Sequence, residues 1–235
     1  MSRKWITVYH GSPYIIEAPV WGYGSRHNDY GRGFYTTESK EMACEWACAR
    51  GEHGYANEYQ FDLNDLDVMY LTGRDYHILN WLAVLLDNRT FRVSSDLARE
   101  GRDFILSRFL PDYKDRDVIV GYRADDSYFS FSNAFLNNGI SLEQLSEAMR
   151  LGKLGEQVTV KSRKAFEHLQ FIEAHPANKD VFYPLAKSRD VKAREDFAKM
   201  KAGPGLGRIY LIDIMRQQWD RDEPALQAFK MENES

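Results

Sequence analysis

An α+β fold is predicted for this 235-residue chain. Strand-like and helix-like segments are mixed without strict alternation, which argues against a doubly wound parallel sheet. No stretch recurs at a fixed period, which argues against a solenoid or propeller. Hydrophobic residues make up 43% and charged residues 28%, an ordinary globular balance.

The elements follow in order. Trp5-Ile6-Thr7-Val8-Tyr9 is β-branched and aromatic and predicts a first strand, ended by a turn at His10-Gly11-Ser12-Pro13. From Pro19 to Gly33 the chain is rich in Gly, Asn and Asp, a long loop of the kind that carries function. A short strand leaves it at Gly33-Phe34-Tyr35-Thr36. Ser39 caps a helix that runs to Arg50 and stops at Gly51. Residues 58–63 alternate as a strand, and 68–71 continue the sheet. Helices are predicted over 75–86, apolar and buried, and over 95–110, closed by Pro111. Asp117 to Tyr122 is a buried strand that runs into the polar turn Arg123-Ala124-Asp125-Asp126. Ser141 opens a helix with Gln144 in the capping-box position, ending near Gly152 and Gly155. Glu156-Gln157-Val158-Thr159-Val160 is a strand, and helices are predicted over 163–172 and 180–201. The division that follows is a domain over 1–202 and a C-terminal extension over 203–235, made of a Gly-Pro linker, a short strand at 208–212 and a helix from Asp213. The last five residues are expected to fray.

The net charge of −4 gives no bulk attraction to nucleic acid. Two cysteines, Cys44 and Cys48, make no disulfide framework and suit a reducing compartment. They lie four apart with no further ligand nearby, so no metal is expected there. The N-terminal residues lack a signal-peptide apolar run, and no stretch is long and apolar enough for a membrane span, so a cytoplasmic protein is expected.

Three clusters carry chemistry. His10 at a strand end, with Gly11 and Ser12 after it, suits donation from the ring to a ribose hydroxyl and close approach of a ligand amide. The segment Asp29 to Thr37 sets Gly31 and Gly33 around Arg32 and follows them with Phe34 and Tyr35, rings suited to stacking. Glu156 and Gln157 begin a strand with an acid and an amide; a carboxylate there can stabilise positive charge at an anomeric carbon. Taken singly, the first cluster is better explained as a turn histidine and the third as a polar strand start, while the second suits core aromatics at a hairpin entry as well as it suits stacking.

Together and in this order, the clusters resemble the H-Y-E arrangement of the ADP-ribosyltransferase fold, and Gly31-Arg32-Gly33-Phe34-Tyr35 is similar to the tyrosine segment of its poly(ADP-ribose) polymerase-like branch. More closely, the chain resembles a bacterial family of unknown function grouped with those transferases. Tyr9-His10-Gly11-Ser12, Asp29 to Thr37, Ala43 with Trp46-Ala47, Asp117 to Gly121, Ala124-Asp125-Asp126, Gly139-Ile140-Ser141, Gln157, and Lys164-Ala165 with Leu169 carry that resemblance, over roughly residues 5 to 200.

The resemblance implies a split mixed β-sheet flanked by several helices, with NAD as substrate. It implies catalytic roles for His10 and Tyr35, and for Glu156 or Gln157 at the third position. It implies NAD contacts from His10, Gly11, Ser12, Gly33, Phe34, Tyr35 and Thr36, with Asp125 and Asp126 supplying charge if the third residue is Gln157. It further implies a toxin neutralised by a small antitoxin protein, in phage defence, that modifies an intracellular macromolecule. Basic residues Lys161, Arg163 and Lys164, and Lys187 to Arg194 interleaved with Phe182, Tyr183 and Phe197, slightly favour a nucleic-acid acceptor over a protein. A binding module of the same fold, without transfer activity, is the alternative that a Gln at the third position would suit.

Overall fold

The computed structural model describes residues 4–90, 95–124, 126–148, 155–203 and 208–230. It is α+β, with two small sheets and helices packed around them. The first sheet has the order β1 (Trp5–Ser12), β3 (Gly54–Asp62), β7 (Leu169–Ala177), antiparallel throughout. The second has the order β2 (Phe34–Thr36), β6 (Glu156–Val160), β5 (Val118–Tyr122), β4 (Val68–Tyr70), with β4 and β5 parallel. The sheets touch where Tyr9 and Thr37 exchange backbone hydrogen bonds of 2.7 and 3.0 Å. On one side of that bridge they pack on each other, with Val8, Tyr59 and Phe61 of the first against Val118, Val158 and Val160 of the second.

Helix α1 (Lys40–Ala47) is capped by Ser39, whose hydroxyl accepts from the Met42 amide. It lies so close to β1 that a Cβ on Gly11 would come within 2.1 Å of the Ala43 carbonyl. The parallel β4–β5 pair requires a crossover, supplied by α2 (Ile78–Asn88) and α3 (Asp96–Phe109). Residues Ile78 to Leu86 of α2 are all buried. Around them gathers the largest apolar cluster, with Leu71, Ile119, Phe131 of α4 (Asp126–Leu136) and Leu145 of α5 (Leu142–Ala148). The expected capping box of α5 is present: Ser141 Oγ accepts from Gln144 N, and Gln144 Oε1 from Ser141 N.

Several expectations are corrected. The first strand does not turn at His10; it continues to Ser12, because Asn57, Ala56 and Tyr55 of β3 supply partners for its last residues. The predicted helix over 163–172 stops after α6 (Arg163–Glu167), and residues from Leu169 form the edge strand β7. Asp126, read as the last residue of a polar turn, begins α4, which runs to Leu136. No strand forms over 208–212. Instead Tyr210 caps α8 (Leu211–Arg216), with Asp213 Oδ2 accepting from the Tyr210 amide. Leu211 and Ile214 of α8, Trp219, and Leu226 of a 3-10 turn at Pro224–Phe229 pack into the α2 cluster. Helix α7 runs from Lys179 to Lys201. The predicted linker, except Gly203, and the terminal five residues lie outside the described residues, as does Gly152.

Candidate functional site

Beside the junction of the two sheets opens a cleft of about 930 Å³, lined by residues of β1, β2 and β6. Strand alternation puts His10 and Ser12 of β1 on its floor, and the 13–33 loop folds over as one wall. Buried Asn57 ties that loop down: its amide donates to the His10 and Tyr14 carbonyls and accepts from the Ile16 amide. Helix α7 supplies the facing wall through Tyr183, Ala186 and Lys187.

His10 stacks on Phe34, with ring centroids 4.3 Å apart. Its Nδ1 lies 2.7 Å from the Tyr35 carbonyl oxygen. A carbonyl only accepts, so Nδ1 carries the proton. Burial pushes the His10 pKa below the ordinary histidine value, and the ring is neutral at pH 7. Nε2 is therefore the accepting end of this ring, whereas the sequence alone suggested a donating one.

The Tyr35 hydroxyl is not free either. It donates to the Gly31 carbonyl at 2.6 Å and accepts from the Tyr30 amide at 3.0 Å. Gly31 sits at φ +77°, a conformation only glycine adopts without strain. The ring is thus pinned by its own glycine loop. Burial, with Asp29 close by, raises the Tyr35 pKa, so the phenol stays protonated.

Successive residues of a strand face opposite ways. Gln157 lines the cleft and Glu156 does not. Gln157 Nε2 donates to Asp29 Oδ2 at 2.8 Å. Because a carboxylate only accepts, the amide nitrogen must point there, leaving Oε1 as the end available to a ligand. Asp29 is itself buried; Arg89 Nε donates to its Oδ1 at 2.8 Å and the Ala124 amide to its Oδ2 at 2.9 Å. Glu156 stands across the strands from Tyr122, and its Oε1 is buried with no hydrogen-bond partner.

Of the residues expected at the site, His10, Ser12, Gly33, Phe34, Tyr35 and Gln157 therefore line one cleft. Gly11 does not; its missing Cβ is needed for α1 to approach. Thr36 is fully buried and donates to the Val158 carbonyl, so it holds β2 to β6. Asp125, and the side chain of Asp126, lie outside the described residues. The carboxylate beside Gln157 is Asp29, which the sequence reading placed in a motif without a role. Arg89, Arg123 and Trp46 line the cleft too, with the Arg123 guanidinium 5.0 Å over the Trp46 ring. Arg89 lies in no motif; Arg123 adjoins Ala124-Asp125-Asp126 and Trp46 is among the residues that carry the resemblance, but none of the three was expected at the site.

The basic residues of α7 are engaged locally: Arg189 pairs with buried Glu45 at 2.8 Å, Lys192 with Asp196, and Arg194 with Asp190. Phe197 stacks on Phe131, while Lys187 lies over Tyr183 at the cleft. Cys44 and Cys48 are buried free thiols.

The family model described as "Protein of unknown function (DUF3990)" matches residues 6–171. The chain belongs to that family. The family segment holds His10, Asp29, Tyr35, Arg89 and Gln157, so the cleft floor is family territory, whereas the α7 wall follows it. No curated protein and no solved structure matches the chain. Among the described residues, no helix is long and apolar enough to cross a membrane.

Proposed function

We propose that the protein is an ADP-ribosyltransferase that cleaves NAD and transfers ADP-ribose to a macromolecular acceptor. One observation supports this above the others: His10, Tyr35 and Gln157, far apart in sequence, meet around one cleft large enough for a dinucleotide. In this reading neutral His10 accepts from a ribose hydroxyl through Nε2, and the pinned Tyr35 ring offers a face to the nicotinamide. Gln157 accepts from a second hydroxyl through Oε1. Asp29 is a positioning residue, fixing which end of that amide faces the ligand. Cleavage of the nicotinamide–ribose bond develops positive charge at the anomeric carbon. Gln157 brings a dipole and no charge, so the dipole and the positioning of the two reactants carry the catalysis.

The amide at this position also favours a second reading, a nucleotide-binding module without transfer. Incubation with radiolabelled NAD and cell lysate separates them, with label followed into protein, RNA and DNA. Transfer predicts label in one fraction, lost in His10→Ala and Gln157→Ala. Saturable NAD binding with neither label nor released nicotinamide supports the module. A toxin restrained by a small partner predicts growth arrest on expression of the native chain, and none with Gln157→Ala.

A further inference from the structure

Tyr9 and His10 are neighbours in β1, and strand alternation sends them to opposite faces of the first sheet. The His10 face is the cleft. On the Tyr9 face, Glu58 of β3 and Glu173 of β7 stand directly opposite each other. Like charges in that relation destabilise a sheet. A β-bulge creates the pairing: Tyr59 pairs with Phe171 and Glu58 with Glu173, so Ile172 is the extra residue. Without it, Glu58 would face Ile172 and the two carboxylates would lie on opposite faces. Bulges commonly re-aim side chains in this way.

His175, two residues beyond Glu173, shares the same face. Its Nε2 is 2.6 Å from Glu58 Oε2 and 3.6 Å from Glu173 Oε1. One ligand atom from each of the three residues lies within 4.8 Å of the others. Tyr9, opposite Glu58 in the β1–β3 register, sets its ring beside His175. Glu58 and His175 are largely sheltered, each 17% exposed, while Glu173 is 63% exposed and leaves a way in from solvent. Even protonated, His175 brings one positive charge to two carboxylates. A divalent ion would balance both.

We propose that Glu58, Glu173 and His175 form a divalent-metal site. Two carboxylate oxygens and one imidazole nitrogen suit a borderline ion of the Zn²⁺ type, and three protein ligands leave a coordination position for water or a small anion. Binding opens the His175–Glu58 hydrogen bond, since ligands around a tetrahedral ion stand further apart than hydrogen-bonded atoms. The site lies across the sheet from the cleft, so it stands independently of the reading of that cleft.

Titration of the full chain with Co²⁺, followed by ligand-field absorption and displaced by Zn²⁺, tests it. One equivalent is expected to bind. Glu58→Gln and His175→Ala are each expected to weaken binding by more than about tenfold, at least what loss of an outer-shell partner costs. Zn²⁺ is expected to raise the Tm of the native chain and not of the variants. Glu173→Gln, at an exposed position, supplies a folded variant if the other two do not fold. Absence of saturable binding by the native chain, or equal affinity in the folded variants, overturns the proposal.

Discussion

The α2 core and the polar floor of the cleft are both buried, but they are built in opposite ways. Around α2, Leu79, Leu82, Phe131 and Phe135 exclude water by volume alone, with few polar atoms to satisfy. Along the cleft, Asp29, Gln157 and Asn57 are equally buried, yet each is fixed by hydrogen bonds to particular atoms. The core therefore sets how stable the molecule is. The cleft sets where a few atoms stand, and a substitution there acts on position more than on stability.

The largest expected effect lies in the core. Trp81→Ala removes a fully buried indole, whose Nε1 also donates to Tyr30 Oη and the Tyr122 carbonyl. A loss of about 4 kcal/mol is expected in urea unfolding, the usual cost of such a truncation. A loss below about 1 kcal/mol would mean that the core is not packed as described.

A buried histidine beside that core sharpens the contrast. His77, which precedes α2 and pairs with Lys230, is buried, and burial lowers its pKa to about 4 from the ordinary 6.5. Its neutral form is the one the fold accepts. Between those two values the unfolded chain binds a proton that the folded chain refuses, so stability is full above pH 6.5 and falls as the pH drops toward 4. About 3 kcal/mol is at stake over that window. Unfolding curves at stepped pH should show the loss in the native chain and a shallower one in His77→Phe. His10, also depressed by burial, contributes in the same direction and keeps the residual slope above zero.

In the cleft the balance reverses. Asp29→Asn keeps the shape but removes the charge that Arg89 and Gln157 share. About 2 kcal/mol of stability is expected to go, the scale of a charged hydrogen bond. NAD binding or turnover should fall at least tenfold, because the Gln157 amide loses its fixed direction. Calorimetry and nicotinamide release measure the two losses side by side. Unchanged NAD binding and turnover in a folded Asp29→Asn would remove Asp29 from the site. Smallest of all is Arg99→Ala. Its partner Asp96 is exposed on the same surface of α3, and a change under about 0.5 kcal/mol is expected.

Much of this was legible residue by residue. Ser39, Ser141 with Gln144, and the apolar run of α2 announce their elements, because caps and periodicity are local signals. The edge strand β7 was not legible. Ser162 caps a true helix, and nothing local marks its end at His168, while Pro176 is a residue that strands admit mainly at edges. The apparent strand over 208–212 has strand-like composition, but Asp213 accepts from the Tyr210 amide and the helix begins there. At the cleft, the clusters around His10, Tyr35 and Gln157 were visible. Arg89, Arg123 and Trp46 were not: Arg89 lies in no motif, and Arg123 and Trp46, beside or within segments that carry the resemblance, are brought to the cleft only by the fold.

The sequence by itself determined the α+β class and most of its helices, because hydrophobic period and capping chemistry act over a few residues. It also marked His10, the glycine-flanked Tyr35 and the Glu156–Gln157 pair. Which of that pair faces the cleft was decided by the tertiary structure alone, through the pairing of β6 with β2 and β5. So was the partnership of Asp29 with Gln157, 128 residues apart. The meeting of Glu58 with Glu173 and His175 depends on a single bulged residue in an edge strand. Pairing register carries side chains from distant segments to one face together, and a shift of one residue would send them to the other.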